Sequence, residues 1–524
     1  STNQEVSTLL ALGKPTKIEI APRLNFEALS PPRQFEHSYS NVSRNNFDPS
    51  QLFKPMKTLI LYCVTCLLLS SATLNSTAQA DGNPNIIFIL ADDCSYLDLE
   101  LYGGPAKTPH LNSLAKKGMT FNRCYQAAPM CSPTRHALYT GLYPVKSGAY
   151  PNHAQAYENI KSIPHFLADS KYRVVLDGKT HIAPPSAFPF EYFKEFAEPA
   201  DQDVPLVNGW RYPQVFNLLE QSTKTGDPFC LFLCSNEPHG PYTKGDPAPY
   251  ADAPLTPQQF DYHRNEYAKY LAEITYFDGQ VGEVLAMLDQ LDLRKKTLVM
   301  VATEQGSGFP FGKWTCYEIG VASGLVVSWP GVVAAGSKTD AIVEYTDVVP
   351  TLLDVASVDT PPGLDGKSFL KLLRGETQTH KQYAFSMQTT IGVNGCRAPY
   401  GVRTVVGDRY RYIRNLFPEN EFSIPVSRTL FEKTRDSDDN TRQRADRFLK
   451  RPPEELYDIL NDPYCQTNLF GQPEFSEVQQ ELVTTLEQWM TEQGDSGRPI
   501  ELDALDRQAD WRKARNKLTP ATSK

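Results

Sequence analysis

A chain of 524 residues with 40% hydrophobic content holds enough apolar material for a large core and more than one structural unit. A net charge of -9 with 22% charged residues and no long basic run excludes nucleic acid as a partner, because that surface needs concentrated Lys and Arg. The irregular spacing of the ten cysteines excludes a zinc knuckle and a disulfide scaffold, leaving one structural disulfide open with its pair undetermined.

Residues 1–55 contain no methionine and show no clear periodicity, and Pro31-Pro32 and the polar run Ser38 to Asn46 read as disordered. They are expected to be upstream sequence absent from the native protein. Met56-Lys57, the apolar run Thr58 to Leu69 and the small-residue end Ala78-Gln79-Ala80 have the parts of a secretory signal peptide over 56–80. Its apolar core falls short of the roughly 20 residues a membrane span needs, so export without a stable membrane span is expected, to the periplasm or outside the cell.

From Asp81 onward short apolar runs alternate with longer amphipathic segments, the pattern of an α/β sheet covered by helices. Ile86 to Leu90 leads into Asp92-Asp93. The segment Cys131-Ser132-Pro133-Thr134-Arg135 reads as a loop entering a helix, with Pro133 early and Gly141 as its stop. A side chain there meets unpaired N–H donors, a natural anion site, and Arg135 adds a planar fork suited to an oxyanion.

Val174 to Leu176 leads into Gly178-Lys179-Thr180-His181, and Phe229 to Leu233 into Asn236-Glu237-Pro238-His239. Thr297 to Val301 leads into Thr303-Glu304-Gln305-Gly306. Continuous apolar runs suit strands buried on both faces, and open α/β sheets bind ligands beyond the carboxyl ends of their strands. Asp92, Asp93, Glu304 and Gln305 offer only oxygen, which favours calcium, with magnesium second, over zinc. Cys230 and Cys234 on the third run read as packing residues.

Beyond about residue 380, Arg409 to Arg414 alternates like a half-exposed strand. Ser476 with Gln479 forms a capping-box pattern, and Val478, Leu482 and Leu486 mark an amphipathic helix packing on this part. The expected division is 81–375 for a catalytic domain, 376–493 for a C-terminal subdomain and 494–524 for a polar tail.

Cys131-x-Pro133-x-Arg135, followed by Leu138, Thr140 and Gly141, resembles the signature of the formylglycine-dependent (type I) sulfatases, Cys-type, of the alkaline-phosphatase-like superfamily. Asp92-Asp93, Gly178-Lys179-Thr180-His181, Pro238-His239-Gly240-Pro241, Gly312-Lys313, Trp329-Pro330-Gly331 and Tyr345 to Leu353 resemble further elements of that family in the same order. The match runs over roughly residues 84–490. Glu304-Gln305-Gly306 departs from it: the family commonly has Asp, then Asn or His, then Gly, so both side chains here are one methylene longer.

The resemblance implies a large mixed sheet sandwiched by helices, with a smaller antiparallel sheet and a packed helix. It implies a sulfatase whose Cys131 is oxidised to Cα-formylglycine by a maturation enzyme, the hydrated aldehyde being the nucleophile. A divalent cation would sit among Asp92, Asp93, residue 131, Glu304 and Gln305. Arg135 would hold the hydrate, Lys179 and Lys313 would clamp sulfate, His239 would protonate the leaving oxygen and His181 would deprotonate the second hydroxyl. A sulfated carbohydrate or polysaccharide is the expected substrate, with His136, His153 and Arg397 as candidate pocket residues. Two alternatives stay open at this point, a phosphatase or phosphodiesterase of the same superfamily and an inactive glycan-binding relative.

Overall fold

In the computed structural model the residues described are 83–193, 210, 212–391, 393, 396, 398–504 and 506–508. The expected upstream segment and signal peptide lie outside them, as do Arg397 and most of the tail. Among the described residues no helix is long and apolar enough to cross a membrane, and all eight cysteines are free thiols.

The larger sheet has the order β3-β4-β1-β5-β6-β2-β7, with β8 also pairing β2. Its strands are β1 (Asn85–Ala91), β2 (Met119–Tyr125), β3 (Arg173–Gly178), β4 (Phe229–Cys234), β5 (Thr297–Thr303), β6 (Ala322–Ser328), β7 (Ser337–Thr339) and β8 (Val343–Glu344). The four apolar runs singled out in the sequence are neighbours here, and β3, β4, β1 and β5 are all parallel. The antiparallel β6 makes the sheet mixed.

Period-two geometry explains why β1 is apolar throughout. Ile86, Phe88 and Leu90 point to one face, where Leu138 and Tyr139 of helix α2 (Cys131–Thr140) and Leu352 of α5 (Val348–Val355) cover them. Ile87, Ile89 and Ala91 point to the other face, under α1 (Pro109–Lys116), α3 (Tyr212–Thr225) and the 27-residue α4 (Arg264–Gln290). Both faces are buried, so no polar alternation survives.

The second sheet, β12-β11-β10-β9, is antiparallel and built from β9 (Ala384–Gln388), β10 (Val402–Val406), β11 (Tyr410–Asn415) and β12 (Glu454–Asp458). Two helices, α6 (Pro425–Thr434) and α7 (Asp439–Leu449), are inserted between β11 and β12. Helix α8 (Ser476–Gln493) packs on the sheet through Leu482, Leu486 and Trp489.

Two sequence expectations are corrected here. The β11 strand is not half-exposed: Arg411 is buried, with its guanidinium on Glu318 of the larger part at 2.6 and 3.0 Å. The helix over the sheet was expected to open with a capping box, yet Ser476 is already its first residue and no side chain caps it. A 3-10 turn, Pro473–Phe475, runs straight into the helix, and Gln479 reaches past it to the Gly471 N–H and the Gln472 carbonyl.

At the start of α4, His263 is buried with Nδ1 accepting from the Phe260 N–H at 3.0 Å. Burial, with Arg444 nearby, lowers its pKa to about 4. Between pH 6.5 and 4 the unfolded chain therefore binds a proton that the folded chain refuses, so stability falls as pH falls. The expected loss from this group is about 3 kcal/mol by pH 4. Urea unfolding of wild type and His263→Gln across that range checks it, since the variant keeps the acceptor and should show a flatter pH slope.

Candidate active site

The parallel strands end level with one another. Gly178 and Leu90 both lie opposite Cys234, and Ala91 lies opposite Thr303. The ladder runs on past the strand ends through Lys179 N–H to the Cys234 carbonyl, Asp92 N–H to that of Glu237, and Glu304 N–H to that of Ala91. Lys179, Asp92, Asp93, Glu304 and Gln305 consequently leave the sheet at one edge. Only glycine suits position 178, which has φ +90° and a would-be Cβ 1.9 Å from the Cys234 carbonyl oxygen.

Cys131 is the first residue of α2, and Gly141 ends that helix in the left-handed conformation at φ 71°, as the sequence predicts. The Cys131 Sγ lies 2.9 Å from Gln305 Nε2, 3.5 Å from Lys179 Nζ and 3.7 Å from Asp92 Oδ1. Lys179 Nζ also donates to Asp92. Lys313 Nζ donates to Asp93 Oδ2 at 2.7 Å, and Gln305 Nε2 donates to Asp93 Oδ1 at 2.7 Å. His239, at the open side, places Nε2 3.4 Å from Asp93 Oδ2 and Nδ1 on the Gly240 carbonyl.

Arg135 holds Glu304 with its fork, Nε on Oε1 at 3.0 Å and a terminal nitrogen on Oε2, and both side chains are fully buried. Its other terminal nitrogen donates to the Lys179 carbonyl at 2.7 Å. The expected ligand Glu304 thus has both oxygens on Arg135, and Arg135 is turned to Glu304 instead of being free for an oxyanion. The extra methylene of Glu304 gives it this reach.

Burial works to raise the Asp92 carboxyl, but Lys179, His239, Arg135 and Lys313 outweigh it and hold it well below the usual range. Burial also works to lower Lys313, and Asp93 reverses this and keeps the ammonium charged. Burial pushes the Cys131 thiol up to about 12. Burial drives His181 well below its ordinary pKa, helped by His153, so its ring is neutral.

Of the eight non-glycine residues with positive φ among those described, five, Asp93, His153, His181, Phe311 and Trp314, lie in the segments that carry this cluster, and Asp292, Ser357 and Cys465 lie elsewhere. Left-handed backbone at non-glycine residues is a strained state that persists where surrounding contacts over-determine it, and it concentrates at functional sites.

The donor set tests for a cation. Oxygens of Asp92 and Asp93 and the Cys131 sulfur lie within 4.8 Å of one another. Gln305 Oε1 is buried without a hydrogen-bond partner. Two converging carboxylates, with an unpaired amide oxygen on the side chain whose Nε2 reaches Asp93 and Cys131, fit a hard divalent cation.

His136 does not line a pocket. It is fully buried, its ring nitrogens engage the Ser132 and Ala183 carbonyls at 2.7 and 3.0 Å, and it packs edge-on to Phe188. His153 does reach the site, with its ring 4.7 Å from that of His181. Two supporting residues escaped the sequence reading. Gln126 Oε1 accepts from the Gln305 N–H at 2.8 Å and from Thr134 Oγ1, while Asn152 Oδ1 accepts from the Ser132 N–H at 3.4 Å at the start of α2.

The mixed sheet between helix layers thus gathers acidic and basic side chains around one residue at a helix start. The Sulfatase family model matches residues 84–358, and the C-terminal model of N-sulphoglucosamine sulphohydrolase matches 306–426. An ulvan-active sulfatase of Formosa agariphila is 31% identical over 436 residues, covering 81% of this chain and 84% of its own length. Human N-sulphoglucosamine sulphohydrolase is 26% identical over 471 residues, covering 78% and 90%. Among solved structures, a putative sulfatase, yidJ, from Bacteroides fragilis aligns with TM-score 0.63 at 20% identity, covering 80% of this chain and 98% of its own. The chain belongs to the sulfatase family and is a sulfuric ester hydrolase.

Proposed function

We propose that the chain removes sulfate from a sulfated polysaccharide, with Cys131, oxidised to Cα-formylglycine by a maturation enzyme, as the reacting residue. The observation that carries this is the Cys131 environment. A thiol pushed up to about 12 is almost wholly protonated at neutral pH and is a poor nucleophile as it stands. The same sulfur is surrounded by Lys179, Gln305 and Asp92, the partners an oxygen nucleophile and a sulfuryl group would need. A formylglycine there supplies, as its hydrate, a hydroxyl toward sulfur.

Asp92, Asp93 and Gln305 are the residues to hold a divalent cation, calcium before magnesium, which supplies positive charge to the sulfuryl oxygens. Lys179 and Lys313 flank position 131 and add fixed positive charge where negative charge develops. His239, the more exposed histidine, faces the leaving group and donates the proton that alcohol departure requires. His181, neutral and with Nδ1 lacking a hydrogen-bond partner, is poised to accept one. Activity on ulvan in one relative and on N-sulphoglucosamine in another supports a sulfated glycan. Such a substrate is met outside the cell, consistent with the export expected from residues 56–80.

The mass of the proteolytic peptide spanning Cys131, from protein made in its native host, tests this reading. An aldehyde mass is expected, and an unmodified thiol in active protein would overturn it. The cation is tested by heating the chelated protein with and without calcium. At free calcium 100 times its Kd the gain is about 2.7 kcal/mol. Asp93→Asn should remove that gain, and a calcium response unchanged in the variant would exclude Asp93 as a ligand.

A further inference from the structure

Beyond α8 the chain leaves the smaller sheet and returns to the larger part. Arg403 of β10, fully buried, pairs through Nε and one terminal nitrogen with Asp495, and its other terminal nitrogen lies 2.9 Å from Glu501 Oε1. Residues 498–504 are helical, and Ala504 is buried in the cluster that holds Tyr143 and Tyr150. The Tyr150 hydroxyl donates to the Ile500 carbonyl at 3.3 Å. These contacts bring Arg507 to the segment that follows α2.

There Arg507 Nε donates to the Gly148 carbonyl at 3.1 Å, and a terminal nitrogen donates to the Gln155 carbonyl at 2.7 Å. The guanidinium lies over the Tyr157 ring at 4.4 Å. A planar fork with fixed donors can bridge two acceptors that are distant along the chain, which a single ammonium matches poorly. Gly148 permits the approach: it has φ +83°, and a Cβ there would lie 2.7 Å from the Arg507 terminal nitrogen.

The segment so bracketed has no helix or strand of its own over 149–155, and its middle carries Asn152 and His153. Asn152 holds the Ser132 N–H, next to residue 131, and the His153 ring lies against that of His181. Both histidines have positive φ, 61° and 50°, a backbone state that persists only where surrounding contacts over-determine it. A clasp at both ends of the segment is such a contact.

We propose that Arg507 is a positioning residue for the sulfatase reaction. By clasping both ends of 148–155 it fixes Asn152 on the start of α2 and His153 against His181. The roles of residue 131 and His181 rest on the functional reading above, and the clasp rests on the geometry alone.

The test uses the full, matured chain. Arg507→Met keeps an unbranched stem over Tyr157 and removes both donors. Its kcat should fall about tenfold on a sulfated oligosaccharide and on a small aryl sulfate, with KM unchanged, because displaced catalytic groups slow the chemistry and leave the sugar contacts alone. Hydrogen exchange of the amides over 149–157, which include the Ala156 and Tyr157 bonds to the Ala183 and Ser147 carbonyls, should quicken about tenfold while β1 and β5 stay as they are. Arg507→Lys, with the charge and one donor position kept, should fall between the two on both measurements. Leu502→Ser, on the exposed face of the same strap, should change neither.

A folded Arg507→Met with unchanged kcat overturns the proposal, even if its melting temperature drops, since the clasp would then serve stability alone. Lowered kcat with unchanged exchange over 149–157 overturns it as well. Should Arg507→Met fail to fold, Arg507→Lys decides by the same two measurements. A parent protein that turns over no sulfate ester would sink the functional reading, and exchange alone would then decide whether the clasp holds its segment.

Discussion

Cys131→Ala is expected to lower kcat/KM on a sulfated oligosaccharide by about 10⁴-fold or more, the scale seen when a nucleophile is deleted. That factor corresponds to about 5.5 kcal/mol of transition-state stabilisation. The fold should barely notice. Alanine keeps the Cβ at the first position of α2, and the sulfur makes only weak contacts with Gln305, Lys179 and Asp92. Loss of stability should stay near 1 kcal/mol, within the ordinary range for a point substitution. Activity within tenfold of wild type would remove residue 131 from the chemistry.

The strands and the edge they share were legible because two independent signals coincide on each. An unbroken apolar run marks burial on both faces, and the polar residues that follow fall where such sheets bind ligands. Asp92, Asp93, Lys179 and Lys313 were found in this way or by family resemblance, and they do meet around Cys131. What was not legible depends on partners far along the chain. Gln126 supports Gln305 from 179 positions away, and no local pattern marks a glutamine for that task. His136 is a candidate pocket residue by sequence, yet its place on α2 turns it inward to two carbonyls. The pattern at Ser476 and Gln479 misled because capping depends on the chain before the helix, and a 3-10 turn had taken that position.

Glu304 is where sequence and geometry part most sharply, and Glu304→Gln separates the two readings of it. Asp92, Asp93 and Glu304 face Arg135, Lys179 and Lys313, three carboxylates against three cations. The amide removes one negative charge and one of the two bonds to a guanidinium that has no access to water. Breaking a buried ion pair from one side costs about 3–5 kcal/mol, because the remaining charge stays buried without its partner. That loss should appear in chelated protein as a lower urea midpoint with an unchanged slope. Calcium should still stabilise the variant, less strongly than wild type, because Asp92, Asp93 and Gln305 are intact while the cluster has become more positive. A residue serving only as a metal ligand would behave in the opposite way, with metal-free stability preserved and the calcium response gone. The bidentate contact with Arg135 favours the first outcome: Glu304 positions Arg135, and through the Lys179 carbonyl it also steadies one of the two lysines beside residue 131.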